Sequence, residues 1–497
     1  MKFSEMPYKR PDPEELKAEL QGWTQRLKAA KSYEEARAVF LEKQEKEKHP
    51  ETMATLAYIR QSIDTRDAFY NEEKDFWDDF GPEIEEYEQE WKEAMLISPF
   101  RKDFEAEYSD LLFLNIEIAR KTFSPVIIED MQRENELVDA YDNLIASAQI
   151  PFEGGVYTLS QLEPFQDDPD DGRRLAAWKA KGQWYKDNQP QLDRIYDDLV
   201  RVRDAMGRKL GYDGYTQLGY YNMERNCWTK EDIEKFREAV QKYVVPLADS
   251  IMRAQAQRNG MPYPLSFADS SLMFRSGNPR PVGTPDDILA QGRKFYDELS
   301  PETSEFFRTM LEEELMDVLS TEGKMGGGYC NTLEYYERPF IFANFNGTQG
   351  DVEVVTHEAG HAFAYWLNRK RIPTQYADPT AEACEVQPGL AGGRGSIRAC
   401  GGRGRAGQRD EYGDGLRGRV RAVHDPPARA VLARDEGDRD VGQGESVGGE
   451  DVAERRRVRG RRRAARCVNG HAAQRVVDFV EDAWLERTVR VRHNLHR

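Results

Sequence analysis

The stretch DVEVVTHEAGHAFAYWLNRK, residues 351–370, decides how the rest of this sequence is interpreted. Its apolar residues recur at helical spacing and predict one helix that ends before Ile372 and Pro373. The two histidines, His357 and His361, are four residues apart, so both imidazole rings project from one face of that helix. They can therefore bind the same metal ion, and the pattern HExxH predicts a zinc site.

A carboxylate accompanies the histidine pair. Glu358 directly follows His357 and flanks the same face of the helix. Zinc makes a bound water acidic, and a carboxylate at this place can accept the water's proton as a general base. The alternative is a chance match on an ordinary helix, which we expect about one time in a hundred for a chain with only seven histidines.

A catalytic zinc ion also needs a third protein ligand and an open position. The segment DPTAEACEVQ, residues 378–387, offers two carboxylates: Glu385, which lies 24 residues beyond His361, and Glu382, one helical turn earlier. Spacing alone does not choose between them. Cys384 could also bind a metal, but His, His and Glu sets are well known at catalytic zinc sites, so we interpret it as a buried structural thiol.

Two acidic residues precede the first histidine on the predicted helix. Glu353 is four residues and Asp351 six residues before His357. Glu353 in particular could accept a hydrogen bond from a zinc-binding imidazole and orient it. Each acid could instead be a solvated first-turn residue that the helix dipole favours, and the sequence leaves both interpretations open.

The stretch before this helix differs from the rest of the chain. Residues 326–348, GGGYCNTLEYYERPFIFANFNGT, are rich in aromatic and β-branched residues and bounded by glycines, which predicts two short strands. From the start to about Met206, apolar residues three and four apart predict long amphipathic helices. Thr229 and Asp232 predict a capping box that opens a further helix. The predicted fold is mainly α, with a small β-sheet beside the HExxH helix.

The run of residues 326–363, from GGGYC to HEAGHAF, resembles the M3 metallopeptidases, specifically their oligoendopeptidase F branch. The similarity continues upstream through LGYDGYTQLGYYNMERN, residues 210–226, and covers roughly residues 1–387. It implies a two-lobed α-helical zincin-type metallopeptidase with one Zn2+ per chain, and it favours Glu385 over Glu382 as the third ligand. The implied metal ligands are His357, His361 and Glu385, and the implied catalytic residue is Glu358.

The resemblance also implies a way to bind substrate. The family's edge strand corresponds to FIFANFNG, residues 340–347, where an extended peptide can add as a further strand through backbone hydrogen bonds. These residues could instead only pack the sheet. Backbone recognition inside a walled channel suits short unfolded peptides and excludes folded proteins. The implied substrate-binding residues are Phe342, Ala343, Asn344 and Phe345.

Composition limits the partners and the location. The formal net charge of −18 opposes nucleic-acid binding. We find no run of about 18 apolar residues, and the N-terminal residues are too charged for a signal peptide, so we expect a cytoplasmic protein that does not enter membranes. The five cysteines are scattered and never spaced as CxxC, which favours reduced thiols. The sequence does not predict an oligomeric state.

The composition changes abruptly after Gln387. Residues 388–497 contain 24 Arg, 16 Asp or Glu and no Lys, so this tail carries about +8 while the preceding residues carry about −26. The tail looks like a coding sequence translated in the wrong frame, although a disordered basic tail would also fit. The predicted division is a helical lobe at 1–205, a catalytic zinc-binding domain at 206–387 and this anomalous tail.

Two other functions compete with a zinc endopeptidase. The chain could be a catalytically impaired zinc- and peptide-binding remnant, because the family's further helices, histidine and tyrosines cannot be placed after Gln387. A nucleic-acid-binding module would rest only on the Arg-rich tail, which has almost no aromatic residues for stacking on bases.

Overall fold

The computed structural model describes residues 1–226 and 228–377. The two candidate third ligands, Glu382 and Glu385, lie outside the described residues, as do Cys384 and the tail at 388–497. The predictions that concern them therefore stay predictions.

The described residues form fourteen α-helices and five strands, together with short 3₁₀-helices and one π-helical stretch. The helices are α1 Pro13–Ala29, α2 Tyr33–Ile63, α3 Ala68–Leu96, α4 Arg101–Tyr108, α5 Leu111–Ala119, α6 Ile128–Ala146, α7 Leu159–Gln166, α8 Asp171–Lys209, α9 Tyr215–Asn222, α10 Lys230–Ala239, α11 Val245–Asn259, α12 Pro285–Leu299, α13 Pro301–Glu312 and α14 Gly350–Asn368. The strands are β1 Ile150–Phe152, β2 Gly155–Tyr157, β3 Met316–Leu319, β4 Tyr329–Leu333 and β5 Arg338–Phe345.

The helix starts follow from local chemistry. The carboxylate of Asp12 accepts hydrogen bonds from the first backbone N–H groups of α1, and proline occupies its first position. The predicted capping box at Thr229 and Asp232 is confirmed, since the two side chains and backbone N–H groups bond reciprocally at the start of α10. Helix α14 ends at Asn368, before Ile372 as predicted.

The sheet beside α14 has three strands in the order β3–β5–β4. The central strand β5 pairs in parallel with β3 and antiparallel with β4, whose Tyr329 lies opposite Phe342. The two strands predicted from the sequence, β4 and β5, are confirmed. Strand β3 was not predicted, because its four residues, MDVL, are too few to show a period.

The described residues contain two large hydrophobic cores. One surrounds the three-stranded sheet and includes Phe306 and Phe307 of α13 and Trp366 of α14. The other joins helices α1 to α5 around residues such as Trp91 and Phe104. The predicted mainly α fold with a small sheet beside the HExxH helix is confirmed. The predicted domain boundary after residue 205 falls inside α8, which continues to Lys209.

None of the helices in the described part of the chain is both long and apolar enough to cross a membrane.

Candidate active site

Helix α14 presents the two histidines on one face. On its opposite face Val355, Ala359 and Trp366 are buried in the core around the sheet, which fixes the rotation of the helix. His357 and His361 are only half-buried, and their Nε2 atoms lie 3.2 Å apart. Two nitrogens bound to one tetrahedral zinc ion at 2.0–2.1 Å are separated by about 3.3 Å. The side chains as placed therefore fit a shared zinc ion.

Glu358 is buried between this helix and the sheet. Its side chain is 7% exposed. The strand β4 begins next to it: a Cβ atom built on Gly328 would lie 3.8 Å from Glu358 Oε1 and 3.3 Å from the backbone oxygen of Phe342. Because Gly328 has no side chain, the backbone approaches this place without a tight contact. The carboxylate is thus held in a narrow space at the start of β4.

The two acids before the histidines are engaged at the start of the helix. Asp351 is buried, and its carboxylate oxygens accept hydrogen bonds from the backbone N–H groups of Asn346 (3.0 Å) and Gly347 (2.8 Å). Burial raises the pKa of Asp351, and these two N–H groups oppose the rise. Glu353 is exposed and accepts a hydrogen bond from the side chain of Gln349. An orienting role of either acid toward His357 stays a prediction.

The residues predicted to bind substrate lie in the middle of the sheet. Phe342, Ala343 and Phe345 are buried, and Asn344 donates its amide hydrogens to the backbone oxygens of Met325 (2.8 Å) and Gly327. The prediction that this stretch forms an edge strand is wrong, because β3 and β4 pair with its two sides. The outer strand that begins at the active site is β4.

A contact that the sequence did not reveal ties α7 to this site. The side-chain amide of Asn346, in the loop before α14, donates to the backbone oxygen of Ser160 (2.9 Å) and to Glu163 Oε2 (2.7 Å). Burial raises the pKa of Glu163 and lowers the pKa of Lys181 on α8. These partners are more than 180 residues away from Asn346 in the sequence, so no local pattern could show the contact.

Three carboxylates elsewhere are close enough to share a cation. They belong to Asp75, Asp78 and Asp139, at the interface of α3 and α6. The ammonium of Lys74 forms ion pairs with Asp78 and Asp139 and thus already supplies a positive charge there. This group therefore does not replace the histidine pair as the candidate metal site.

Comparisons with known proteins agree with the fold. Residues 3–123 match the family model of the peptidase M3 N-terminal domain, and residues 298–389 match the model of peptidase family M3. No curated protein sequence matches the chain.

Solved structures cover most of the chain. A protein assigned as an oligoendopeptidase F is 40% identical, with a TM-score of 0.79 over 83% of this chain and 72% of its own. Pz peptidase A, solved with an inhibitor, is 39% identical, with a TM-score of 0.81 over 85% of this chain and 74% of its own. A protein assigned as oligoendopeptidase F from Bacillus anthracis str. Ames is 40% identical, with a TM-score of 0.80 over 83% of this chain and 75% of its own. The chain therefore belongs to peptidase family M3, in its oligoendopeptidase F branch.

Proposed function

We propose that this peptidase is a zinc-dependent metalloendopeptidase that hydrolyses peptide bonds in short oligopeptides. The observation that carries the proposal is the 3.2 Å separation of the Nε2 atoms of His357 and His361, with the buried carboxylate of Glu358 on the same helix. Two neutral imidazoles can bind the zinc ion of a hydrolytic site, and a nearby carboxylate that is not a ligand can act as the general base. Glu385, outside the described residues, is the proposed third ligand.

The proposed metal ligands and Glu358 have different roles in peptide hydrolysis. A zinc ion held by His357, His361 and Glu385 would polarise the peptide carbonyl and acidify a water molecule. Glu358 takes the proton from the attacking water and gives it to the leaving amine. Its burial excludes bulk water, which strengthens the electrostatic interactions of the carboxylate.

Strand β4 is the proposed place for the substrate backbone. It is the outer strand that begins directly after Gly328, beside Glu358, so a peptide extended along it would pass the catalytic carboxylate. Helix α2 packs against this strand, with the Ser62 and Tyr329 hydroxyls 2.5 Å apart. Backbone pairing with a strand that lies in a channel accepts peptides of varied sequence but only unfolded chains.

The cytoplasmic location stays a prediction from the sequence.

Metal analysis and peptide hydrolysis test the proposal. We expect one zinc ion per chain, and we expect Glu358→Gln to keep the metal while lowering kcat at least about 10²-fold, since an amide cannot accept the water's proton. A protein that binds zinc and peptides without hydrolysing them would instead be the impaired remnant. A chain that takes up no zinc would refute the site.

Alanine variants of the two candidate ligands decide between them. Glu385→Ala should weaken zinc binding, while Glu382→Ala, the matched control three residues earlier in the sequence, should leave it unchanged. The reverse result would reassign the third ligand to Glu382.

A further inference from the structure

The wall of the site next to Glu358 is made of backbone. Residues 324–328 are the last segment of the connection from β3 to β4, and Gly328 lies against α14. A Cβ atom on Gly328 would lie 3.3 Å from both the backbone oxygen of Phe342 and a methyl carbon of Val354. Because this separation is tighter than most Cβ contacts, one methyl group would require the segment, strand β5 or the side chain of Val354 to shift by a few tenths of an ångström.

Lys324 anchors the beginning of this segment. Its side chain is completely buried, and its ammonium lies 2.5 Å from Asp317 Oδ1, 2.8 Å from the backbone oxygen of Leu319 and 2.6 Å from that of Ala343. The same ammonium lies 4.5 Å from the ring centre of Phe342. A buried ammonium keeps its charge only with such partners, so Lys324 fixes the segment to β3 and β5.

Asn344 anchors the middle of the segment. The two hydrogens of its side-chain amide are donated to the backbone oxygens of Met325 (2.8 Å) and Gly327 (2.9 Å). The backbone N–H of Met325 in turn donates to the backbone oxygen of Ser62 on α2 (2.9 Å). The segment is thus held by the sheet on one side and by α2 on the other.

We propose that Lys324, Asn344 and Gly328 are positioning residues that hold this segment against Glu358 and thereby fix its carboxylate relative to the histidine pair. The inference rests on the proposed function, in which Glu358 transfers the proton. Proton transfer requires the donor and acceptor to lie within hydrogen-bonding reach, so a displacement of a few tenths of an ångström to 1 Å lowers the rate. None of these three residues is a proposed zinc ligand, so zinc affinity can be measured separately from the rate of proton transfer.

Alanine at Gly328 tests the proposal, with Gly326 as the matched control. A methyl group on Gly326 would meet only Ile145 Cγ2, at an ordinary distance of 3.5 Å. We expect Gly328→Ala to lower kcat about 10-fold or more, with a smaller change in KM and a nearly unchanged zinc affinity, and Gly326→Ala to stay within about twofold of the wild type. Zinc affinity is measured separately by competition with a chelator.

Asn344→Asp provides a second variant if Gly328→Ala fails to fold. It keeps the shape of the side chain but replaces the two amide donors, so we expect lower kcat and faster hydrogen exchange at residues 325–329. Wild-type kcat in both variants, together with a severe loss in Glu358→Gln, would overturn the positioning role alone. Equal losses for the variants of Gly328 and Gly326 would also overturn it. Full activity of Glu358→Gln would overturn the proposed function itself.

Discussion

We predict that the hydrogen bonds of the Asp351 carboxylate stabilise the start of the HExxH helix, and substitution of Asp351 tests this. Asp351 is 4% exposed, and its carboxylate accepts hydrogen bonds from two successive backbone N–H groups, those of Asn346 and Gly347. Asp351→Ala leaves both donors without this acceptor. Each unsatisfied buried N–H costs about 1–3 kcal/mol. The two donors are only partly buried, so water can reach them, and we expect a total loss of about 2–3 kcal/mol.

Asp351→Asn is the matched control for this change. The amide keeps one oxygen acceptor but points its NH2 group toward the second donor, so we expect about half of the loss, roughly 1 kcal/mol. Thermal unfolding should show a midpoint about 5–10 °C lower for Asp351→Ala, at 2–4 °C per kcal/mol for domains of this size. Urea unfolding gives an independent measure of the same difference.

Zinc affinity separates this role from the orienting role predicted from the sequence. If Asp351 only closes the loop before α14, zinc affinity should change less than about threefold in both variants. A residue that orients a ligand imidazole typically changes metal affinity 10–100-fold. A loss of that size without a change in the unfolding midpoint would refute our reasoning, and Asp351 would then act on His357.

Three further predictions concern other parts of the chain. Burial raises the pKa of Asp142 to about 6. The stability that its protonated form contributes is therefore present below about pH 4 and is lost as the pH rises through 6, and in urea unfolding Asp142→Asn should make this decline less steep. Arg174 is 1% exposed and pairs with Asp171 and Asp269, so Arg174→Met should cost about 3–5 kcal/mol, and a loss below 1 kcal/mol in urea unfolding would contradict this. The frameshift hypothesis predicts that resequencing the DNA across the codon for Gln387 will reveal an inserted or deleted base that changes the downstream reading frame. An unchanged DNA sequence would refute this hypothesis.

The features predicted correctly from the sequence have short-range signals. The placement of both histidines on one face of α14 and the course of that helix follow from a spacing of four residues and from the apolar face of one helix. The capping box of α10 depends on residues three apart. The two strands β4 and β5 follow from composition and from the glycines that bound them. In each case the residues that determine the structure are neighbours in the chain.

The features that the sequence did not show depend on distant residues. Strand β5 was expected at an edge, but the short strand β3 pairs with its other side, and strand order is not encoded within either strand. The roles of Lys324 and Asn344 depend on how the segment after β3 returns to the sheet. A sequence shows that Gly328 lacks a side chain, whereas only the packing shows that Glu358 lies beside it.

The choice between Glu382 and Glu385 as the third ligand also depends on residues that are distant in the sequence. After α14 the chain is held by the N-terminal helices, because Thr374 donates its backbone N–H to Gln44 Oε1 (2.7 Å) and the hydroxyl of Tyr376 donates to the backbone oxygen of Tyr108 (2.9 Å). These partners lie 330 and 268 residues away in the sequence. The path toward Glu385 therefore starts from a point that α2 and α4 determine, and the spacing from the HExxH motif could not by itself identify the ligand.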